Sequence, residues 1–241
     1  MIASAPTELP GLLARTALSA TQREEMFALL SRYFDGVTRE QFERDLAAKD
    51  WVIAIRGDAE LIGFTTLRVA TSSFEGEPII VLYSGDTIVA PEAWGTPALA
   101  RAWIAGVNGI RSTFPTRRCF WLLLTSGFRT YRFLPVFWRE FFPRHDVPTP
   151  PTMHRLLNQL AEEGYGSCFD AAAGIVRFPK PQRLRGPLAV VPEGRVRNPH
   201  VAFFLGRNPN HDCGDELACI TEICAANLTP AGRRMVETAP S

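Results

Sequence analysis

Val81–Trp103 reads VLYSGDTIVAPEAWGTPALARAW, and it holds a strand, a sharp turn and the start of a helix in one line. Tyr83, Gly85, Thr87 and Val89 alternate with Leu82, Ser84, Asp86 and Ile88, the two-residue period of a strand, until Pro91 and Gly95 break it. Pro97 stands where a first helical residue belongs, because its missing N–H would be unpaired there anyway. Ala98, Leu99, Ala102, Trp103 and Val107 then recur at helical spacing. Such a corner gathers unpaired N–H groups and the positive end of a helix dipole, which suits an anion. An ordinary strand-to-helix corner gives the same pattern, so the stretch speaks to fold before it speaks to any ligand.

Upstream, Trp51–Ile55 and Leu61–Val69 are apolar, β-branched runs separated by the turn cluster Arg56–Glu60, and they read as a hairpin. Ser72–Pro78 is a second polar turn, so three antiparallel strands lead into the corner. Before them, Thr21–Glu24 has the form of a capping box and opens a helix carrying Met26, Leu29, Leu30 and Tyr33. A second helix runs from Thr38 to Lys49 with Phe42 and Leu46 on one face. Leu12–Leu18 is expected as a short edge strand after a loose N-terminus.

Downstream, Cys119–Leu124 is a continuously apolar run suited to a strand buried on both faces, closed by Thr125-Ser126-Gly127. Arg129–Phe142 reads as a helix that Pro135 kinks or divides. Residues 143–199 are dense in proline, with one clear helix at Thr152–Glu163. They read as an insertion or lid within a single domain spanning 1–241, because they hold too few apolar residues for a core of their own. Val201–Leu205 and Glu216–Ile223 predict a last hairpin with a long loop, and the tail after Leu228 is expected to fray.

Composition limits the function. Of 241 residues 46% are hydrophobic, enough for one large core, and 26 Lys and Arg nearly balance 25 Asp and Glu. That balance gives no global field towards nucleic acid, which is not expected as a partner. The five cysteines include no CxxC pair, which argues against a disulfide framework or a compact zinc site, so no metal is expected. The N-terminus makes a poor secretory signal, and no stretch approaches the roughly twenty apolar residues that span a bilayer. A cytoplasmic location with no membrane span is the expectation.

The element order, with Leu61-Ile62-Gly63-Phe64, Asp86-Thr87-Ile88-Val89 and Val89-Ala90-Pro91-Glu92 running into Gly95, resembles the GNAT (Gcn5-related N-acetyltransferase) superfamily. The resemblance covers roughly Leu12–Asn227, less the insertion. It implies an α+β fold, an α/β sandwich with a mixed, mostly antiparallel sheet flanked by helices. It also implies acyl transfer from a pantetheine thioester, acyl-CoA or an acyl-carrier protein, to a small-molecule amine. In that family the corner after the fourth strand holds the donor's pyrophosphate, and the pantetheine arm lies where the fourth and fifth strands part. The family pattern continues R-G-x-G-x-G/A, whereas this chain has Trp94-Gly95-Thr96-Pro97-Ala98-Leu99. Pro97 deletes one N–H, and neither Pro97 nor Leu99 lets backbone approach phosphate as glycine does, so weak CoA binding is expected.

Carried onto this chain, the resemblance makes Asp86 the candidate base or amine anchor and Tyr131 the candidate acid for the departing thiolate. Val89, Trp94, Gly95, Thr96 and Ala98 would line the phosphate corner, and Ser126 and Gly127 the pantetheine groove. Arg129 and Arg132 are candidate phosphate partners, since a guanidinium binds phosphate bidentately. His211 and Asp215, on the expected hairpin loop, are candidate substrate-mouth residues. A second reading stays open: a non-catalytic binding or regulatory module that kept this fold and lost the cofactor.

Overall fold

The structure, a computed structural model, describes residue 9 and residues 11–57 and 60–237. Most of the N-terminus expected to be loose, and the tip of the Arg56–Glu60 turn, lie outside them. The first half of the chain forms β1 (Leu13–Ala14), α1 (Ala20–Tyr33), β2 (Phe34–Asp35), α2 (Arg39–Ala47), β3 (Trp51–Arg56), β4 (Leu61–Phe74), β5 (Glu77–Val89) and α3 (Ala98–Ser112). The second half forms β6 (Arg118–Thr125), α4 (Phe128–Tyr131), α5 (Phe133–Phe137), α6 (Pro151–Tyr165), β7 (Phe169–Asp170), β8 (Ile175–Val176), β9 (Arg183–Leu184), α7 (Glu193–Val196), α8 (Pro199–Arg207), β10 (Glu216–Glu222) and α9 (Pro230–Glu237).

An eight-stranded sheet runs β1-β3-β4-β5-β6-β10-β8-β7, with β2 and β9 paired apart from it. Neighbours in it are antiparallel except β5 with β6. The sheet is therefore mixed and mostly antiparallel, and helices cover both faces. Ile80 and Leu82 point into a core with Trp103, Ile104 and Val107 of α3, while Ile79 and Val81 point the other way, against Leu156, Leu157 and Leu160 of α6. A third cluster packs Met26, Leu30, Phe42 and Leu46 of α1 and α2 onto Val52, Phe64 and Ile88.

Several sequence expectations need correction. The capping box is Ser19 with Gln22, where Ser19 Oγ accepts from Gln22 N at 3.1 Å and Gln22 Oε1 accepts from Ser19 N at 2.8 Å, rather than Thr21 with Glu24. Leu12–Leu18 gives only β1 and a 3-10 turn at Arg15–Ala17. The second turn is tighter than Ser72–Pro78: pairing continues to Phe74↔Glu77, and Glu75 and Gly76 reverse the chain. Arg129–Phe142 is divided, one of the two forms expected, into the short helices α4 and α5, but the helix stops at Phe137 rather than running to Phe142. Val201–Leu205 belongs to the helix α8, so there is no last hairpin, and β10 pairs with β6 and β8 instead. In the tail expected to fray, Pro230–Glu237 form α9, with Met235 and Ala231 against the core.

Candidate active site

Gly85–Val89 is where β5 changes course. Phe64 faces Ile88 and Thr66 faces Gly85, so Asp86 and Thr87 together oppose Thr65 in a β-bulge. Asp86 takes φ +43°, a left-handed conformation that Asp tolerates because its short polar side chain bonds locally. Thr66 Oγ1 donates to Gly85 O at 2.9 Å, and the Thr65 and Thr87 hydroxyls lie 2.7 Å apart, which ties the bulge to β4.

The Asp86 carboxylate lines a cavity of about 1040 Å³, with Asp45, Lys49 and Glu216 at the same end. Lys49 Nζ lies 3.9 Å from Asp86 Oδ2, and their side chains keep only 18% and 11% of their surface exposed. A Cβ at Gly85 would come within 2.8 Å of Lys49 Nζ, so the end of the lysine side chain would have to shift. Burial raises the Asp86 pKa; Lys49 opposes the rise and Asp45 adds to it. Glu216, at the head of β10, is pushed up to about 7, first by burial and then by the charge of Asp86, with Lys49 opposing. The cluster therefore sets the buried Asp86 carboxyl beside a second carboxyl group poised to take up or release a proton near neutral pH.

At the other end is the corner. Ala93 N bonds Ala90 O at 2.9 Å, Trp94 N bonds Pro91 O at 3.2 Å and Thr96 N bonds Ala93 O at 3.1 Å. The loop thus uses most of its own donors on itself, and Pro97 has none. What it presents instead is side chains: the Arg129 guanidinium stacks 3.8 Å over the Trp94 ring and donates to Leu188 O at 3.2 Å. Arg132 and Arg195 line the same end. The Arg129 and Arg132 pKa values are lowered, by burial first and then by Arg195.

Between the two ends runs a slot. β5 and β6 pair in parallel only from Ile79↔Arg118 to Tyr83↔Leu122, after which β5 stays with β4 as far as Val89 and β6 stays with β10 as far as Thr125. Trp121 Nε1 donates to Ser84 Oγ at 2.9 Å just past the last pair. The fourth strand of the main sheet in chain order thus leads into the corner and α3, and parts from the fifth just before the bulge at Asp86. By fold, the chain is GNAT-like.

No protein-family model matches the chain, and neither does any curated protein sequence. Among solved structures it is similar to a conserved Enterococcus faecalis V583 protein of unknown function described as a probable N-acyltransferase, at 16% identity and a TM-score of 0.42. That match covers 54% of this chain and 32% of the other, so it spans about a third of that protein. An aminoglycoside 6'-N-acetyltransferase complexed with coenzyme A is similar at 11% identity and a TM-score of 0.41, over 88% of this chain and 97% of that one. Escherichia coli ElaA is similar at 15% identity and a TM-score of 0.37, over 58% and 90%. All three lie below a TM-score of 0.5, and the GNAT fold rests here on sheet order, bulge and slot.

Of the residues singled out from the sequence, Asp86, Val89, Trp94, Thr96, Ser126, Gly127, Arg129 and Arg132 line the cavity of this GNAT fold. Gly95, Ala98, Tyr131, His211 and Asp215 are not among its lining residues. Tyr131 is fully buried, donates from its hydroxyl to Pro143 O at 2.9 Å and packs among Phe141, Phe203 and Phe204, so it is a core residue and not an acid facing the slot. His211 packs at a tilt against Phe204, and Asp215 accepts from Arg177 Nε at 3.1 Å. Glu216 and Arg195 are the residues that sequence reasoning missed. Among the described residues no group of three or more His, Cys, Asp and Glu is placed to hold a metal, and no helix is long and apolar enough to cross a membrane.

Proposed function

We propose that this protein is an acyltransferase that moves an acyl group from a pantetheine thioester, acyl-CoA or an acyl-carrier protein, to an amine. The observation that carries the reading is the slot between β5 and β6, which opens into one cavity with guanidinium groups at one end and the Asp86–Glu216 cluster at the other. An extended amide-bearing arm suits such a slot, because β5 and β6 leave their facing backbone edges unpaired there.

In this reading Asp86 holds the acceptor as an ammonium ion and Glu216 takes its proton. The free amine attacks the thioester carbonyl carbon, so the C–N bond forms and the C–S bond breaks. Glu216 then returns that proton to the thiolate, serving as base and acid in turn, for which a pKa near 7 is well matched, and the second proton that nitrogen loses on becoming an amide goes to solvent. Asp86 keeps the role of amine anchor expected from the sequence, and Tyr131 has no part.

The donors that the corner uses on itself favour one second reading, a non-catalytic module that has lost the cofactor. A thiol-release assay separates the two. Decanoyl-CoA and decanoyl-loaded carrier protein are each incubated with the protein and a panel of primary amines. Release of free thiol that depends on an amine supports acyl transfer. No release above the donor-only blank from either donor would leave the module as the better reading.

A further inference from the structure

The cavity mouth at the corner is basic and partly apolar in a way that a small donor does not require. Arg129, Arg132 and Arg195 converge on it. The ion pairs found among the described residues include none of the three, and the strongest charge felt by Arg129 and Arg132 is another cation, Arg195. Trp94 is 40% exposed beside Arg129, and Val196, next to Arg195 in α7, is 41% exposed. Arg197 continues the basic run on the surface, against Glu193 alone in that helix.

Three of the corner's N–H groups are spent on its own carbonyls and Pro97 has none, while a guanidinium cluster grips a single phosphodiester well. CoA brings a diphosphate and a nucleotide that need a cradle, whereas a carrier protein brings one phosphodiester and an acidic surface around it. We propose that the rim of Trp94, Arg129, Arg132 and Arg195 is a docking surface for an acidic carrier protein, which passes its acyl-phosphopantetheine arm between β5 and β6. This rests on the acyl-transfer reading and names the donor for it. Charge complementarity between a basic rim and an acidic partner sets encounter rate and orientation, with the exposed Trp94 and Val196 giving apolar contact.

Titration calorimetry with decanoyl-loaded carrier protein and with decanoyl-CoA tests this on the purified protein. The carrier should bind at least about ten-fold tighter than decanoyl-CoA, and its affinity should fall about ten-fold or more between roughly 50 and 300 mM salt. Arg195→Glu and Arg197→Glu should each weaken the carrier by about ten-fold, and Arg197→Glu, which lies outside the cavity lining, should change decanoyl-CoA binding by less than about three-fold. Decanoyl-CoA binding as tightly as the carrier, or carrier binding indifferent to salt and to both reversals, would overturn the docking surface. Amine-dependent thiol release from decanoyl-CoA would then still uphold acyl transfer. If neither donor binds and neither releases thiol, the docking surface and the acyltransferase reading fall together.

Discussion

Glu216 is where the pH dependence of activity and of stability should meet. Its carboxyl titrates near 4.5 when unfolded and at about 7 in the folded protein, so the folded state binds the extra proton between those values. The stabilisation this gives is fully present below pH 4.5 and is lost as pH rises through about 7, an effect on the order of 3 kcal/mol at most. Glu216→Gln should therefore melt higher than the parent at alkaline pH and level with it in acid, while acyl transfer falls by roughly 10²–10⁴-fold. Melting curves that match the parent at both pH values would mean that Glu216 titrates as if in water. Asp86→Asn keeps the left-handed bulge, since Asn tolerates that conformation as Asp does, but removes the charge. If Asp86 anchors the amine, the loss should appear mainly in the KM for the acceptor; kcat and KM both within about two-fold of the parent would make it structural. Asp86 was legible in the sequence because it sits on the strand before the corner, whereas Glu216, at the head of the apolar run ELACITEI, looks like an ordinary solvent-facing strand end.

At the scale of elements, the corner decides donor affinity. Ala93, Trp94 and Thr96 direct their N–H groups at the loop's own carbonyls and Pro97 has none, so a CoA diphosphate meets fewer free amides than a glycine-rich loop would present. Each such bond to a charged group is worth on the order of 1.5–3 kcal/mol, about ten-fold or more in affinity. Calorimetry should therefore find acetyl-CoA weaker than micromolar, and sub-micromolar binding would refute this account of Trp94–Leu99. Pro97 and the lost glycines made this readable beforehand, as did the strand Cys119–Leu124, whose apolar faces both meet helices. Val201–Leu205 was not readable as a helix from its apolar run, because five such residues fit a buried strand equally well. The deciding signal lay just before it: Asn198 Oδ1 accepts from His200 N at 3.0 Å and Val201 N at 3.3 Å, and Pro199 follows at the first helical position.

Over the whole molecule, residues 143–199 combine two parts that the proline density of the sequence hid. Leu156, Leu157 and Leu160 of α6 are buried against Val81, Phe120, Leu122 and Ile220, across three strands of the sheet, so this part belongs to the core. Phe178, Leu184, Leu188 and Pro192 instead roof the cavity, and no described side chain from Arg177 to Asn198 is buried. A segment with so few buried groups should open at low free-energy cost. We therefore expect Leu160→Ala to lower unfolding free energy by roughly 2–5 kcal/mol in urea, since it leaves a cavity that the sheet and helix cannot collapse around. Leu188→Ala should cost less than about 1 kcal/mol globally, because its neighbours are already partly solvated. The same change should speed tryptic cleavage after Arg195 and Arg197, by weakening the contact that holds the roof down. A saturating acyl donor should slow that cleavage in the parent, since it would fill the cavity beneath. Equal urea midpoints for Leu160→Ala and Leu188→Ala, or donor-independent cleavage, would mean that the roof does not move independently of the core and that substrate enters the cavity by another route.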